Sequence, residues 1–362
     1  MEMSTSTFFA DQQRLQLDLQ DVSARTLARI FELQYSGDRE YFQSTNLMLG
    51  REPRCQVDIE DTQPYKSCEP NLQKSKVWLA KWPVSVSDDG SKALISMPAL
   101  SLDDLDRRGN INIWRVETWL IFQRMAAHLH TKTKFLDYDK LIDEHNFTFI
   151  ASVKNTVSRE LYRLVDLPNI PVLDTQLRLG CFGKSSFNNI AVLKNRENGQ
   201  VLAEQVLQMV LINKEERAPA TIPAWWTDKY ASHMSRSAQS LKVAPLQIPQ
   251  HGCHDYQITV TWANTDAQLH TSYPSLMSFC LDAAMDGVVK KHFSQFHGDI
   301  LNYHVKTMQI SCMGESHAGD VLDIKTWEDE IDPYLLLIAV SCRGKDVFQC
   351  SLRYHEPLKS KC

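Results

Sequence analysis

The run Asp266-Ala-Gln268-Leu-His270-Thr-Ser272 sets a carboxylate, an amide and an imidazole close together. The carboxylate could act as a base or a nucleophile, and the imidazole titrates near neutral pH. The amide could orient a water or a carbonyl group. Ser272 is a natural N-cap and Pro274 suits a first helical turn, so the run ends where a helix begins. A helix N-terminus offers unpaired backbone N–H groups, which are donors for a developing oxyanion. Plainer uses exist for the same residues: Asp266 as an acid favoured by the helix dipole, His270 as a hydrogen-bonded turn histidine.

The first half of the chain carries the same pattern without a gap. Asp104-Leu-Asp106-Arg-Arg-Gly-Asn110-Ile-Asn112 lies over Asn264-Thr-Asp266-Ala-Gln-Leu-His270-Thr-Ser272. Asp106 and Asn110 take the places of Asp266 and His270, and Glu117 follows one turn into the next helix. Asn110 cannot exchange a proton, so chemistry is expected at the second run and structure or ligand docking at the first. Glu117 is either a second catalytic carboxylate or a structural acid paired with Arg115, Arg124 or Arg178. Arg107 and Arg108 are expected to lower the pKa of Asp106, or else to attract phosphates.

The elements that must hold these residues follow from periodicity. Asn112 to Leu129 is largely apolar, apart mainly from Arg115, Glu117, Gln123 and Arg124, and reads as a mostly buried helix. Tyr273, Leu276, Met277, Cys280, Leu281, Ala284 and Val288 form one helical stripe. Strands are expected over 77–86 and 92–97, around the turn signal Asp88-Asp89-Gly90. Further strands are expected over 147–154, 175–182, 185–194 and 200–212. In the second half Tyr256 to Trp262 alternates as a half-buried strand. Strands are then expected over 302–311, 320–327, 334–342 and 346–354. Asp21 to Phe42 is a candidate helix, and Arg51 to Lys76 reads as loop. Residues 213–254, with Pro219, Pro223, Pro245 and Pro249, read as a connection that packs in part on the surface.

The run from Thr261 to Tyr273 resembles the signature of hotdog-fold acyl thioesterases: a strand, an Asp, an amide-type residue, a His, and a helix start. Gly319-Asp320 before Val321, and Gly183-Lys184-Ser185-Ser186, resemble that family's turns into a following strand. The order of elements is similar to tandem acyl-CoA and plant-type acyl-carrier-protein thioesterases, over about residues 90–356. The resemblance implies an α+β fold of two tandem hotdog domains, each a long buried helix against a curved antiparallel sheet. The repeats would span 76–212 and 255–362, with an extension at 1–75 and the connection at 213–254. It implies hydrolysis of acyl-CoA, or of acyl carrier protein thioesters, with no cofactor and no metal. Asp266 would be base or nucleophile, Gln268 would orient water or the thioester, and His270 would assist proton transfer. Ser272, Met277 and Lys184 are the expected substrate contacts, with Met277 and Cys280 on the acyl floor and Lys184 near a phosphate. Family members often carry Asn where this chain has Gln268, and an Asn pair where it has Thr271-Ser272. Those departures keep in view a degenerate module that binds acyl-CoA or a protein partner. A 3-hydroxyacyl thioester dehydratase is the rival enzyme.

Composition bounds the rest. The chain has 362 residues with 39 Lys+Arg against 44 Asp+Glu, a net charge of −5 that argues against a broad nucleic-acid surface. No apolar run approaches a membrane span. Nine cysteines without a C-x-x-C pair fit a reducing compartment, so a cytoplasmic protein is expected. The Ser360-Lys361-Cys362 ending resembles a peroxisomal address only in part. Self-association is compatible with this surface. His251, Cys253 and His254 have metal-ligand types, but no second cluster lies at ligand spacing. Ser316 and His317 are too close in sequence to make a nucleophilic triad.

Overall fold

A computed structural model describes residues 82–356, apart from 98–100, 130–133, 144, 168, 170, 236–237 and 267–269. The candidate helix at Asp21 to Phe42, the loop at Arg51 to Lys76, the strand start at 77–81 and Gln268 lie outside the described residues. Twelve strands form one sheet: β1 (Val84–Val86), β2 (Lys92–Met97), β3 (Asn146–Val157), β4 (Leu173–Phe182), β5 (Ser186–Asn195), β6 (Val201–Asn213), β7 (Ala218–Pro219), β8 (His254–Thr259), β9 (Val305–Cys312), β10 (Val321–Glu328), β11 (Leu335–Cys342) and β12 (Lys345–Tyr354). The longer helices are α1 (Ile113–Leu129), α2 (Ala224–Tyr230) and α3 (Tyr273–Val289).

The strand order is β1-β2-β4-β5-β6-β3-β9-β12-β11-β10-β8, with β7 added on β6. Without β1, this order pairs off from the two ends, β2 with β8, β4 with β10, β5 with β11, β6 with β12. Antiparallel β3 and β9 meet in the middle, from Ser152 opposite Ser311 to Thr156 opposite Thr307. The two long helices are both 17 residues and touch each other on one face of the sheet. The α3 stripe is buried as its spacing requires, with Met277, Cys280 and Ala284 fully enclosed. Of the polar exceptions in α1, Glu117, Gln123 and Arg124 are buried, as is His128, while Arg115 is half-buried.

Two readings need correction. The strand expected through Trp262 stops at Thr259. Thr261 and Asn264 instead form a capping box around a 3-10 turn, Trp262–Asn264, and Trp262 is 70% exposed. The connection is more than surface packing. Trp226 and Tyr230 of α2 are wholly buried in the core of the first half, whereas Trp225 stays partly exposed. Prolines and charges along 213–254 hide this, because only one face of a short helix needs to be apolar.

Trp226 and Tyr230 have a structural task. Leu136 and Asp137 both adopt positive φ, at 60° and 43°, which costs a non-glycine residue of order 1 kcal/mol or more each. Trp226 donates to the Leu136 carbonyl (2.7 Å), Tyr230 donates to Asp137 (2.9 Å), and Lys229 pairs with Asp137 as well. The turn is also held by Gly90, at φ 74°, whose carbonyl accepts from the Leu136 N–H (2.8 Å).

Beyond α2 the chain runs as a strap across the sheet. Alternate strand residues face opposite sides. Asn189 reaches His128 of α1, so its neighbour Asn188 points away from the helices, where it donates to the Gln239 carbonyl (2.9 Å). Gln208 accepts from the Leu241 N–H and Ser152 donates to the Leu241 carbonyl, both at 2.9 Å. Gln349 accepts from the Leu246 N–H (2.9 Å). The strap thus covers the face opposite the helices and crosses from the first half of the sheet to the second.

Trp226→Ala should lose the ring's packing and release the Leu136 carbonyl, destabilising the protein by about 3–5 kcal/mol. Trp225→Ala should cost under about 1 kcal/mol. Urea denaturation of the two variants checks the contrast, and equal losses would contradict it.

Candidate functional site

The turn before each long helix is built the same way. Asp106 accepts from the N–H groups of Arg108 (2.8 Å) and Asn110 (3.0 Å), and the Asp106 N–H donates to the Asn110 carbonyl (2.8 Å). Asp266 accepts from the His270 N–H (3.2 Å), and its own N–H donates to the His270 carbonyl (2.8 Å). The spacing that suggested chemistry is therefore also a turn-closing motif. Ser272 caps α3 as expected, accepting from the Ser275 N–H (3.3 Å). Arg107 pairs with Asp299 (2.7 Å).

The second turn is joined to a segment that sequence spacing could not bring to it. His270 and His317 form an isolated bridge. The Thr271 N–H and hydroxyl both donate to the Ser316 carbonyl, at 2.7 and 3.0 Å, and Ser316 returns its hydroxyl to Thr271 (2.8 Å). This lock sets His270 Nε2 3.6 Å from a Glu315 carboxylate oxygen, with the His317 ring edge-on at 4.9 Å. Arg217, from the turn after β6, holds Glu315 at 3.1–3.2 Å. Burial pushes the His270 pKa below its usual value, and Glu315 opposes that shift. His270 is thus a mainly neutral imidazole near pH 7, beside a carboxylate.

Sequence spacing points to neither Glu315 nor Arg217, and it sets His317 beside Ser316 only. Ser316 and His317 are residue types that carry chemistry, but two neighbours in sequence make no triad by themselves. The missing partner is His270, contributed by another segment. His270, Glu315 and His317 offer ligand atoms within 4.8 Å of one another, a set that suits zinc in principle. The Arg217 cation on Glu315 competes with a metal there. His254 pairs instead with Asp286 (2.7 Å), and Cys253 donates to the Pro249 carbonyl, so neither joins a ligand cluster.

The other expected residues fall elsewhere. Met277 is fully buried, its sulfur accepting from Cys350 (3.4 Å). Lys184 is exposed on the β4–β5 turn, its carbonyl accepting from the Ile222 N–H (2.8 Å). A cleft of about 220 Å³ lies against the first-half turn, lined by Asp106, Arg107, Asn112, Leu281, Asp282 and Met285.

Glu117 is enclosed between the helices and the sheet. Asn155 and Gln205 donate to it from β3 and β6, the latter at 2.9 Å, and Tyr273 donates from the first residue of α3 (3.1 Å). Its expected pairing with Arg115 or Arg178 gives way to these three neutral donors. Arg124 attracts it through space and itself donates to Gln205. Burial pushes the Glu117 pKa up to about 7 despite these partners.

No family model and no curated protein matches the sequence. Solved structures do match the fold. An acyl-ACP thioesterase from Bacteroides thetaiotaomicron is 12% identical with a TM-score of 0.56, covering 75% of this chain and 100% of that one. A 12:0-ACP thioesterase from Umbellularia californica is 13% identical with a TM-score of 0.57, covering 75% and 99%. The fold is the hotdog arrangement of the acyl-ACP thioesterases.

Because Glu117 holds its proton more tightly folded than unfolded, its contribution to stability is present below about pH 4.5 and lost as pH rises through about 7. The loss amounts to about 3 kcal/mol. Glu117→Gln should therefore gain about that much on the native protein between pH 4.5 and 8.5, as read by denaturant titration. A constant difference across that range would mean that Glu117 is not buried in this way.

Proposed function

We propose that this chain is a double-hotdog hydrolase of acyl thioesters, with acyl-CoA preferred over acyl carrier protein. The repeats span 76–212 and 255–362, and the paired strand order supports that division. The α2 segment of the connection packs with the first repeat. The observation that carries the activity is the neutral His270 imidazole beside Glu315 at the start of α3.

His270 takes a proton from water as the water attacks the thioester carbonyl, and Glu315 stabilises the imidazolium that forms. The N-terminus of α3 faces the developing oxyanion, with Gln268 as a further donor. The proton then passes from His270 to the departing thiolate. Asp266 positions the base, since it accepts the backbone N–H of His270 itself. Met277 and Cys280 belong to the apolar floor behind the site. Lys184 and Arg108 are candidates for the phosphates of CoA, and Arg217 orients Glu315. Asn110 occupies the equivalent place in the first repeat without a titrating group, so that turn is structural or serves docking.

His270→Ala and Glu315→Gln should each lower kcat for thiol release from acyl-CoA by ~10²–10⁴. Asn110→Ala should leave kcat within about threefold and act on KM or stability. With a base whose pKa is lowered, kcat should rise with pH through a value below 6.5. Loss of turnover in the Asn110 variant with His270→Ala intact would move the chemistry to Asp106 and Glu117. Ligand binding without thiol release would make the chain a binding module, and an enoyl product would make it a dehydratase.

A further inference from the structure

The lock between Thr271 and Ser316 has neighbours on both strands of chain that share one chemistry. His270 precedes Thr271, and Glu315 and His317 flank Ser316. Each of the three offers one metal-ligand atom, and these atoms lie within 4.8 Å of one another. His270 Nε2 and the Glu315 oxygen are 3.6 Å apart. Ligand bonds to zinc at tetrahedral angles put two nitrogen or oxygen donors roughly 3.3–3.5 Å apart. The His270–Glu315 pair is therefore already spaced for zinc. His317 completes the set by a side-chain movement of at most about 1.5 Å, at a ring that is 42% exposed. Among the described residues no other three His, Cys, Asp or Glu side chains offer such a set.

The backbone beneath the three is fixed, which lowers the ordering cost of binding. The Thr271–Ser316 hydrogen bonds and the bridge between His270 and His317 hold the two segments side by side. Asp320 accepts from the His317 N–H (2.9 Å) and sets a carboxylate oxygen 3.8 Å from His317 Nδ1. A carboxylate beside an imidazole nitrogen is a common orienting partner of metal-binding histidines. Two imidazoles and one carboxylate suit zinc and disfavour magnesium or calcium, which take oxygen ligands. The opposing feature is Arg217 on Glu315. The Arg217 side chain is more than half exposed, and an ion pair at such exposure is worth little, so a coordinated dication displaces it.

We infer that His270, Glu315 and His317 bind one zinc ion reversibly, and that zinc held there stops thioester hydrolysis. The binding stands on the geometry alone; the inhibition rests on the hydrolase reading. A neutral imidazole has one free lone pair. Spent on the metal, it cannot take a proton from water. Glu315, once coordinated, no longer stabilises an imidazolium. Base and ligand are thus exclusive uses of His270, and zinc availability sets the balance between them.

The test titrates zinc chloride into the full chain, freed of metal by chelator dialysis, and follows the heat near neutral pH. A saturable site for one zinc per chain is expected, with no such site for magnesium chloride. His317→Ala and Glu315→Gln should each weaken it by about tenfold or more. Arg217→Gln should tighten it by about two- to fivefold, because the competing cation is gone. No zinc binding, or binding that neither His317→Ala nor Glu315→Gln weakens, would overturn the site. Weaker binding in the Arg217 variant would overturn the arrangement as well, since a gain is what removal of a competitor must give. Stoichiometric zinc should lower kcat on acyl-CoA by about tenfold or more, reversed by chelator. Turnover is read as free acid, because the released thiol itself binds zinc. The His317→Ala protein, compared with and without the same zinc concentration, should change by less than about twofold. Unchanged turnover in the zinc-loaded parent would overturn the inhibition, and turnover that rises with zinc would overturn it by making the ion part of the catalyst. If no acyl-CoA is hydrolysed, the hydrolase reading fails, and the calorimetry still decides the site.

Discussion

Pairing of β3 with β9 joins two half-sheets into one and thereby sets α1 against α3. The pair is antiparallel and central, so each half meets the other through backbone hydrogen bonds. Only because the halves meet there can Tyr273, at the start of one helix, reach Glu117, inside the other. That contact carries a neutral donor into a buried acid and binds the start of one long helix to the interior of the other half. The His270 cluster draws on both halves too, since Arg217 comes from the turn after β6 and Glu315 from the approach to β10.

Polar groups are distributed unevenly, and the asymmetry has a physical cost. Glu117 is raised to about 7 because burial outweighs its three donors. His128 is driven well below its ordinary value by burial and by the Arg124 charge. Such an interior is less stable than the methionine, alanine and valine packing of α3, as buried polar groups rarely repay their desolvation. Its retention around one helix and not the other is what separates the two halves chemically.

Much of the fold was legible because its strands alternate and its helices keep a 3.6-residue period. Lys92–Met97 was read to the residue, and the later strands to within a few residues at each end. The likeness of the two runs was legible because Asp106-to-Asn110 and Asp266-to-His270 close the same turn. What could not be read was tertiary. Nothing along the chain brings Glu315 to His270, since the Thr271–Ser316 lock that does so is a long-range contact. Trp226 was hidden in a segment whose prolines and charges suggested surface. The α1 stripe was visible as exceptions to an apolar pattern, but periodicity does not say that exceptions are buried.

The central pair also orders events during synthesis. About 150 residues separate the end of β3 from the start of β9. At about 5–20 residues per second, the outer edge of β3 stays bare for roughly 7–30 s after it leaves the ribosome. An uncovered edge of this kind templates pairing with other chains. The strap is made in that interval, and its first half can already dock on Asn188, Gln208 and Ser152, while its anchor at Gln349 is not yet translated. A nascent first half therefore carries its back-face cover before it has a partner for its edge. Slow or stalled translation between β6 and β9 would favour association of two first halves over completion of one chain.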